Sequence, residues 1–408
     1  MKSKKIIRIL TPISGIMSFM LVMGLMATPV FAEETKTENA IVEESDKTDY
    51  ATYVNSVCEK KGFKITLNKV TATKDKMNVI ASIEFPNEIG EEDMKNAIYS
   101  LSVKNVKCDS DWGRDRKVDG RKIEINYEVI SGEEFPDKVE LRFDVIIPKY
   151  NLNAWVNQTV ELNKHTDKII EKDISVRNEK SRVTYEKFNC DILGSSLYTK
   201  EDEYDENIDY DDLYSDHESR MLVKCDDKFY VFDDRSYYFH DQYNTEVNIC
   251  KSLTYDDMKD AEKISLIPVT CTMKNKDREK LYDNDYFRES DEVTTDNVSY
   301  EKEFKFADGK NGEISKIERT ENSVKVYCSS DSEKKSLLMA IGLYGRYRCD
   351  DKSYGEAGKI IYKNPDDADG YIVEFTDVSK NAELNLNNDD YMLGQSSYFE
   401  LGQAIEIK

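Results

Sequence analysis

The sequence has few of the residues and motifs on which enzyme chemistry commonly depends. Its 408 residues include three histidines, His165, His217 and His240, and no spacing pairs them into a metal site or a catalytic triad. The sequence also lacks GxSxG, HExxH and a glycine-rich phosphate loop after a strand. We therefore predict that the protein is not an enzyme and has no catalytic, cofactor-binding or metal-binding residues. No cofactor is expected.

The cysteines form no CxxC pair and have no spacing typical of zinc ligands, so a zinc site is not expected. Their even count would permit disulfides in an exported chain, but the sequence cannot choose the connectivity. Several continue a strand pattern, as Cys328 does after residues 324–327, which favours a small buried thiol. We therefore expect mostly free thiols. The eight cysteines are Cys58, Cys108, Cys190, Cys225, Cys250, Cys271, Cys328 and Cys349.

Positive charge is in the minority. The chain has 58 Lys and Arg residues against 81 Asp and Glu residues, which gives a formal net charge of −23. Such an acidic chain repels nucleic acids and anionic membrane surfaces, so neither is an expected partner. The expected partner is an unknown protein or glycan at the cell surface.

Residues 1–32 have the composition of a signal peptide. A basic start is followed by residues 13–30, which carry no charge, and Val30-Phe31-Ala32 provides the small residues of a cleavage site. Cleavage would leave a secreted or extracellular protein, either released or attached to the surface, with no membrane insertion of the mature chain. The alternative is an uncleaved anchor, because residues 9–32 are long enough to span a bilayer. The basic residues are Lys2, Lys4, Lys5 and Arg8.

The clearest structural pattern is a β-hairpin in residues 62–85, after an acidic leader (33–49) that is predicted to be disordered. Apolar and polar residues alternate on both sides of the polar segment 73–76. Strict alternation places one face of a strand against a core and the other in water. The alternating apolar residues are Phe63, Ile65 and Leu67, then Met77, Val79, Ala81, Ile83 and Phe85.

Further strand patterns predict that residues 50–165 form a first antiparallel β-sandwich module. They occupy residues 97–103, 123–129, 139–145 and 155–162, with turn residues between them.

A second β-sandwich module is predicted for residues 166–275. Its first hairpin covers residues 174–185, after which the apolar phase slips by one residue between Tyr185 and Phe188. A slip of this kind is typical of a β-bulge. Thr254 is a suitable cap for a short helix over residues 253–261. The remaining strand patterns are at residues 221–223, 229–232 and 263–269.

The most acidic window of the chain, residues 201–219, is predicted to be an insertion in the second module. Its clustered carboxylates would also suit a calcium ion, although no glycine stands at the turn position of an EF-hand spacing. Both interpretations stay open at this point.

After a charged linker (276–297), residues 298–408 are predicted to form a third β-sandwich module. Its hairpin 315–326 can be aligned with residues 68–79, although any two alternating hairpins share such a pattern. The fold class expected is mainly β, with serial modules. Later strands are predicted at 337–343, 371–375 and 404–407. The identical pairs of the two hairpins are Lys69/Lys316, Thr73/Thr320 and Val79/Val326.

Several of these segments together resemble a known family. They are KGFKITLNKV (61–70), the strand 155–162 followed by DISV (173–176), CDILGSSLYT (190–199), and the pair GEISKIERTENSVKVY (312–327) and LGQAIEI (401–407). The family is an uncharacterised domain family of extracytoplasmic proteins from Gram-positive bacteria. The resemblance implies immunoglobulin-like modules, as in the outer portion of anti-sigma-factor-like membrane proteins. This chain begins with a signal-like segment and lacks the sigma-binding segment, so a direct anti-sigma role is not expected.

Three functions remain open from the sequence. The first is a non-enzymatic binding or sensory protein of the cell surface. The second is a secreted hydrolase of cell-wall or extracellular glycans, whose carboxylates converge only in the folded chain. The third is a structural spacer at the surface.

An aromatic cluster could supply a binding face, but alternating tyrosines also pack against core edges. Its members are Tyr230, Phe232, Tyr237, Tyr238, Phe239 and Tyr243.

Overall fold

Antiparallel strands make up most of the described chain in the computed structural model. It describes residues 50–90, 93, 96–106, 108–110, 115–180, 182–201, 220–232, 235–239, 245–277, 293–294, 302–305, 311–348, 354–376, 378, 384–388 and 398–408. The predicted signal peptide (1–32), the leader (33–49) and nearly all of the acidic insertion lie outside these residues. The mainly β prediction is confirmed.

The predicted hairpin at residues 62–85 is present and extends into a three-strand meander. It consists of β1 (Thr52–Lys60), β2 (Phe63–Ala72) and β3 (Lys76–Glu84). The apolar residues that alternate in the sequence, from Phe63 to Phe85, are all buried. The inward face therefore follows directly from the alternation.

Two sheets share the core of this first region. One has the order β1-β2-β3-β7-β5, with β6 paired to β7, and the other has the order β4-β8-β9. Their inward side chains form one apolar cluster that includes Leu67, Tyr127 and Phe143. The strands are β4 (Ile98–Lys104), β5 (Cys108–Ser110), β6 (Asp115–Asp119), β7 (Lys122–Ser131), β8 (Lys138–Ile147) and β9 (Leu152–Glu161), with a 3-10 turn at Pro148–Tyr150.

The next sheet contains the predicted bulge. Its strands are β10 (Ile169–Asn178), β11 (Val183–Asp191), β12 (Gly194–Glu201), β15 (Arg235–Phe239) and β16 (Thr245–Cys250), in the order β10-β11-β12-β16-β15. The register of β11 against β12 shifts between Tyr185 and Lys187, where the sequence changes apolar phase. The bulge prediction is confirmed.

A long sheet crosses between the second and third predicted modules. Its order is β19-β20-β21-β25-β24-β14-β13-β17-β27, with β28 paired to β17, and the β14–β24 pairing joins the two sequence regions. The strands are β13 (Arg220–Cys225), β14 (Lys228–Phe232), β17 (Ile264–Cys271), β19 (Lys302–Lys305), β20 (Asn311–Arg319), β21 (Ser323–Ser330), β24 (Gly358–Lys363), β25 (Tyr371–Thr376), β27 (Phe399–Leu401) and β28 (Ile405–Glu406).

A smaller sheet is formed by β18 (Val293–Thr294), β22 (Leu343–Arg348), β23 (Tyr354–Glu356) and β26 (Leu384–Asn388). Its strand order is β18-β26-β22-β23.

The middle strands of the long sheet are buried on both faces. Met221 and Val223 of β13 pack into the core beside β11 and β12, whereas Leu222 packs into the core that includes Val326 and Phe375. Burial on both faces explains why β13 and β14 have continuous apolar runs instead of alternation.

Two helices differ from the sequence predictions. Residues 337–342 lie in α2 (Glu333–Gly342) and Leu343 begins β22, so the prediction of a strand over 337–343 was wrong. Ser332 caps this helix by accepting a hydrogen bond from the Lys335 amide, and an unbroken apolar run does not distinguish a buried helix from a strand. The helix predicted at 253–261 is α1 (Tyr255–Met258), shorter than expected but beginning after Thr254 as predicted.

The hairpins β2–β3 and β20–β21 share more than alternation. In both turns the threonine backbone amide donates to the carbonyl three residues later, from Thr73 to Lys76 at 2.8 Å and from Thr320 to Ser323 at 2.9 Å. Both hairpins also have a register shift on the first strand, after Leu67 and after Ile314. The alignment made from the sequence therefore matches a repeated local structure.

Candidate functional site

One of the three histidines, His165, lies among the described residues. His165 lies with Nε2 2.8 Å from the carbonyl oxygen of Tyr50, and its ring packs edge-on against that tyrosine. His217 and His240 lie outside the described residues. Within the described part of the chain, no group of three His, Cys, Asp or Glu side chains is placed to hold a metal ion.

The structure describes the side chains of two members of the aromatic cluster, Tyr230 and Phe232. Tyr230 and Phe232 are buried in the core beside β11, and burial raises the pKa of Tyr230. These two residues therefore have the packing role. The side chains of Tyr237, Tyr238 and Phe239, and all of Tyr243, lie outside the described residues.

A group of buried charges joins the sheets of β1–β9 to the β11–β12 hairpin. Lys76 at the start of β3 has a side chain that is 4% exposed, and its Nζ lies 3.0 Å from Oδ2 of Asp191. The same amino group donates to the carbonyl of Gly194 at 2.8 Å and to Oγ of Ser196 at 2.9 Å. Three oxygens therefore lie around one buried ammonium group.

Asp75 adds a second carboxylate to this junction. It accepts hydrogen bonds from Nδ2 of Asn189, at 3.1 Å to Oδ2, and from the hydroxyl of Tyr198. Burial alone would lower the pKa of Lys76, but the charges of Asp191 and Asp75 outweigh it and raise this pKa. Burial raises the pKa of Asp191 against the opposing effect of Lys76.

Residues next to this junction also make contacts between the two regions. Lys251 lies 2.6 Å from Glu128, and a cavity of about 40 Å³ beside Lys76 is lined in part by these two residues. Ile130 of β7 packs with Val247 and Ile249 of β16 in a small apolar cluster. Because the buried Lys76 ammonium is paired with a carboxylate of the other sheet, the group is suited to hold the two sheets together.

An exposed aromatic side chain lies on the sheet β4-β8-β9, the other sheet of the first core. Trp155 lies in the middle of β9, and 46% of its surface is exposed, whereas its neighbours Ala154 and Val156 are buried. The guanidinium carbon of Arg142 lies 5.1 Å from the ring centroid, and Nζ of Lys60 lies 5.9 Å from it. Both distances lie within the range of cation–π contacts.

Neutral polar side chains stand before and after Trp155 along the outer face of β9. Asn153, Asn157 and Thr159 are exposed and share the face with Trp155 because side chains alternate along a strand. Their side chains make no hydrogen bond within the described part of the chain. Each amide can both donate and accept, so the row offers hydrogen-bonding groups to a ligand.

The charges of this outer face are balanced in pairs. Arg142 lies 2.7 Å from Asp144, which stands directly opposite Trp155 in the β8–β9 register. Lys138 pairs with Glu161 at 2.5 Å, and Lys104 pairs with Glu140. Among the described residues, the face formed by β4, β8 and β9 thus has little net charge, whereas the whole chain has a formal net charge of −23.

Sequence reasoning placed a strand here but named no site residue. The available signal was the phase of β9: Leu152, Ala154, Val156 and Val160 are spaced by even numbers, which leaves Trp155 on the other face. A large aromatic residue in the solvent phase of an alternating strand is the feature that could have identified this surface.

No family model matches the chain, and no curated protein matches it. The crystal structure of the conserved domain protein from Bacillus anthracis is similar to 54% of this chain and 78% of its own, at 18% identity and a TM-score of 0.39. In the part of the chain that is described, no helix combines the length and apolar composition needed to cross a membrane.

Proposed function

We propose that the protein is a non-enzymatic binding or sensory protein that is secreted or held at the cell surface. In this proposal its sheets form immunoglobulin-like sandwich modules, and residues 1–32 are a cleaved signal peptide. The features that support export are the basic and apolar pattern of residues 1–32 and the acidity of the remaining chain. The family resemblance adds an expected similarity to the ectodomains of anti-sigma-factor-like proteins.

The observation that carries the binding role is the exposure of Trp155. Leaving almost half of a large indole ring exposed forgoes part of the stabilisation that burial would give. The adjacent residues of β9, Ala154 and Val156, point the other way and are buried in the core. Two cations also lie within cation–π distance of the ring. An exposed aromatic ring on a strand, beside amides whose side chains make no hydrogen bond, can contact a ligand both by stacking and by hydrogen bonding.

The binding role is tested with the purified full chain, labelled with a fluorophore and added to intact cells of its native host. We expect saturable binding to the cell surface that falls at least tenfold in Trp155→Ala. Tyr398→Ala is the matched control, because Tyr398 is 36% exposed outside β9 and should be dispensable. Equal binding by the wild-type chain and Trp155→Ala would reject this face as the binding surface.

The non-enzymatic part of the proposal needs a separate measurement. Cell-wall glycans and peptides incubated with the chain are expected to remain intact, as followed by mass spectrometry. A hydrolysed product whose formation is abolished by a single substitution would overturn this part and favour the hydrolase.

A further inference from the structure

We infer that the outer face of β9 binds a neutral polysaccharide chain, with one sugar ring stacked on Trp155. This inference rests on the proposed binding function and assigns a ligand class to the same face. Sugar rings have apolar C–H faces and hydroxyl edges, so they need an aromatic surface together with groups that both donate and accept hydrogen bonds. The face around Trp155 supplies both kinds of group.

The arrangement along the strand fits an extended ligand. Asn153 and Asn157 lie two residues before and after Trp155 on the same face. At a rise of about 3.3 Å per residue, the two amides are about 13 Å apart, with the indole ring between them. A chain that stacks one ring on Trp155 thus brings the hydroxyls of the flanking rings towards the two amides. Thr159 continues the row with a hydroxyl group.

The charge pattern selects a neutral ligand. Each acidic residue of the face, Glu140, Asp144 and Glu161, has a basic partner within ion-pair distance. An anionic chain would have to compete with these acids for the same cations, and a cationic chain would gain more elsewhere on this acidic protein. A neutral polysaccharide does not compete for these cations and is not drawn to other acidic surfaces of the protein. The side-chain amides of Asn153 and Asn157 can hydrogen-bond its hydroxyls.

The apolar content of the face argues against a protein as the occupant. Stable protein interfaces bury a central group of aromatic or aliphatic side chains inside a polar rim. Here one indole ring stands among amides and ion pairs, and the other exposed apolar residue of the face, Ile98, lies at its end on β4. A single exposed ring is enough for stacking but provides too little apolar area for a protein interface.

Isothermal titration calorimetry tests the inference with the purified full chain. The probes are chitohexaose and cellohexaose, which are neutral, and polygalacturonate, which is anionic. We expect at least one neutral hexamer to bind and its Kd to rise at least tenfold in Trp155→Ala. Asn157→Ala, at an exposed position, should raise the same Kd severalfold without a change in thermal stability. Tyr398→Ala should bind as the wild-type chain does.

Two results would overturn the inference. One is the absence of binding to either neutral hexamer, including the case in which only polygalacturonate binds. The other is an unchanged Kd in both Trp155→Ala and Asn157→Ala. If the labelled chain still binds intact cells through Trp155 while neither hexamer binds, the glycan assignment fails and the proposed function stands. Loss of both kinds of binding rejects the two together.

Discussion

The ammonium group of Lys76 and the carboxylate of Asp191 lie 3.0 Å apart although they belong to different sheets. Lys76 begins β3 of the first region, and Asp191 ends β11 of the next one. Their side chains are 4% and 1% exposed. Removing two charges from water is costly unless they pair closely and are hydrogen-bonded, so this contact requires a close fit between the two regions.

Replacing Lys76 is expected to destabilise the chain strongly. Lys76→Met leaves Asp191 and Asp75 buried without a counter-charge, and breaking a buried pair in this way commonly costs about 3–5 kcal/mol. Urea unfolding followed by circular dichroism measures the change. The double variant Lys76→Met with Asp191→Asn should recover part of the loss, because it removes one uncompensated charge.

Lys74→Met is the matched control for that substitution. Lys74 lies in the same turn and pairs with Glu171 at 3.1 Å, but its side chain is 35% exposed. Exposed pairs contribute about 1 kcal/mol or less. If Lys76→Met costs no more than Lys74→Met, the buried junction does not stabilise the fold as inferred.

The turn that accepts the Lys76 hydrogen bond should not tolerate a side chain at Gly194. Its φ is +118°, and a Cβ there would lie 3.0 Å from the Cys250 carbonyl oxygen. Backbone strain and overpacking together predict a loss of about 2 kcal/mol or more for Gly194→Ala. Gly120 also has a positive φ of +55°, but a Cβ there meets no atom within 4 Å. Gly120→Ala should therefore cost about 1 kcal/mol, and equal losses in urea unfolding would contradict the steric argument.

Asp93 should make the stability of the first region depend on pH in acid. Hydrogen bonds from Lys149, Tyr150 and the Gly90 amide lower its pKa to about 2. In the unfolded chain an aspartate titrates near pH ~4, so the folded state favours the charged form. The resulting stabilisation is present above pH ~4 and is lost as the pH falls from about 4 to about 2.

Thermal unfolding across this pH range measures that dependence. Asp93→Asn should have a lower Tm than the wild-type chain at pH 7, and the difference should shrink as the pH approaches 2. Asp167→Asn, at a side chain that is 75% exposed, should follow the wild-type curve. A constant difference between Asp93→Asn and the wild type at every pH would contradict the expected role of the Asp93 charge.

Two buried cysteines should resist alkylation while the chain is folded. Cys190 and Cys328 are free thiols, and burial raises the pKa of each to about 12. Because the thiolate is the reactive form, iodoacetamide at pH 8 should label neither residue in the native chain and both in urea. Peptide mass spectrometry reads the two sites separately. Full labelling under native conditions would show that β11 and β21 open readily.

Local sequence patterns predicted much of the fold. The alternation in residues 62–85 placed the apolar residues of β2 and β3 in the core because side chains of a strand alternate between faces. The phase slip after Tyr185 likewise marked the bulge between β11 and β12. The run 337–343 was misassigned because continuous apolar residues are compatible with a buried helix or a buried strand.

The sequence alone determined the β class, the hairpins and their inward faces, since these depend on residues close together in the chain. It also marked 73–76 as a turn, but only the tertiary structure showed that Asp75 and Lys76 are buried against Asn189 and Asp191. Polar residues in a turn normally face water, and local sequence does not specify which distant strand will cover them. The surface around Trp155 was likewise decided by the tertiary structure. Its residues come from β8, β9 and β1, and strand pairing and packing bring them together.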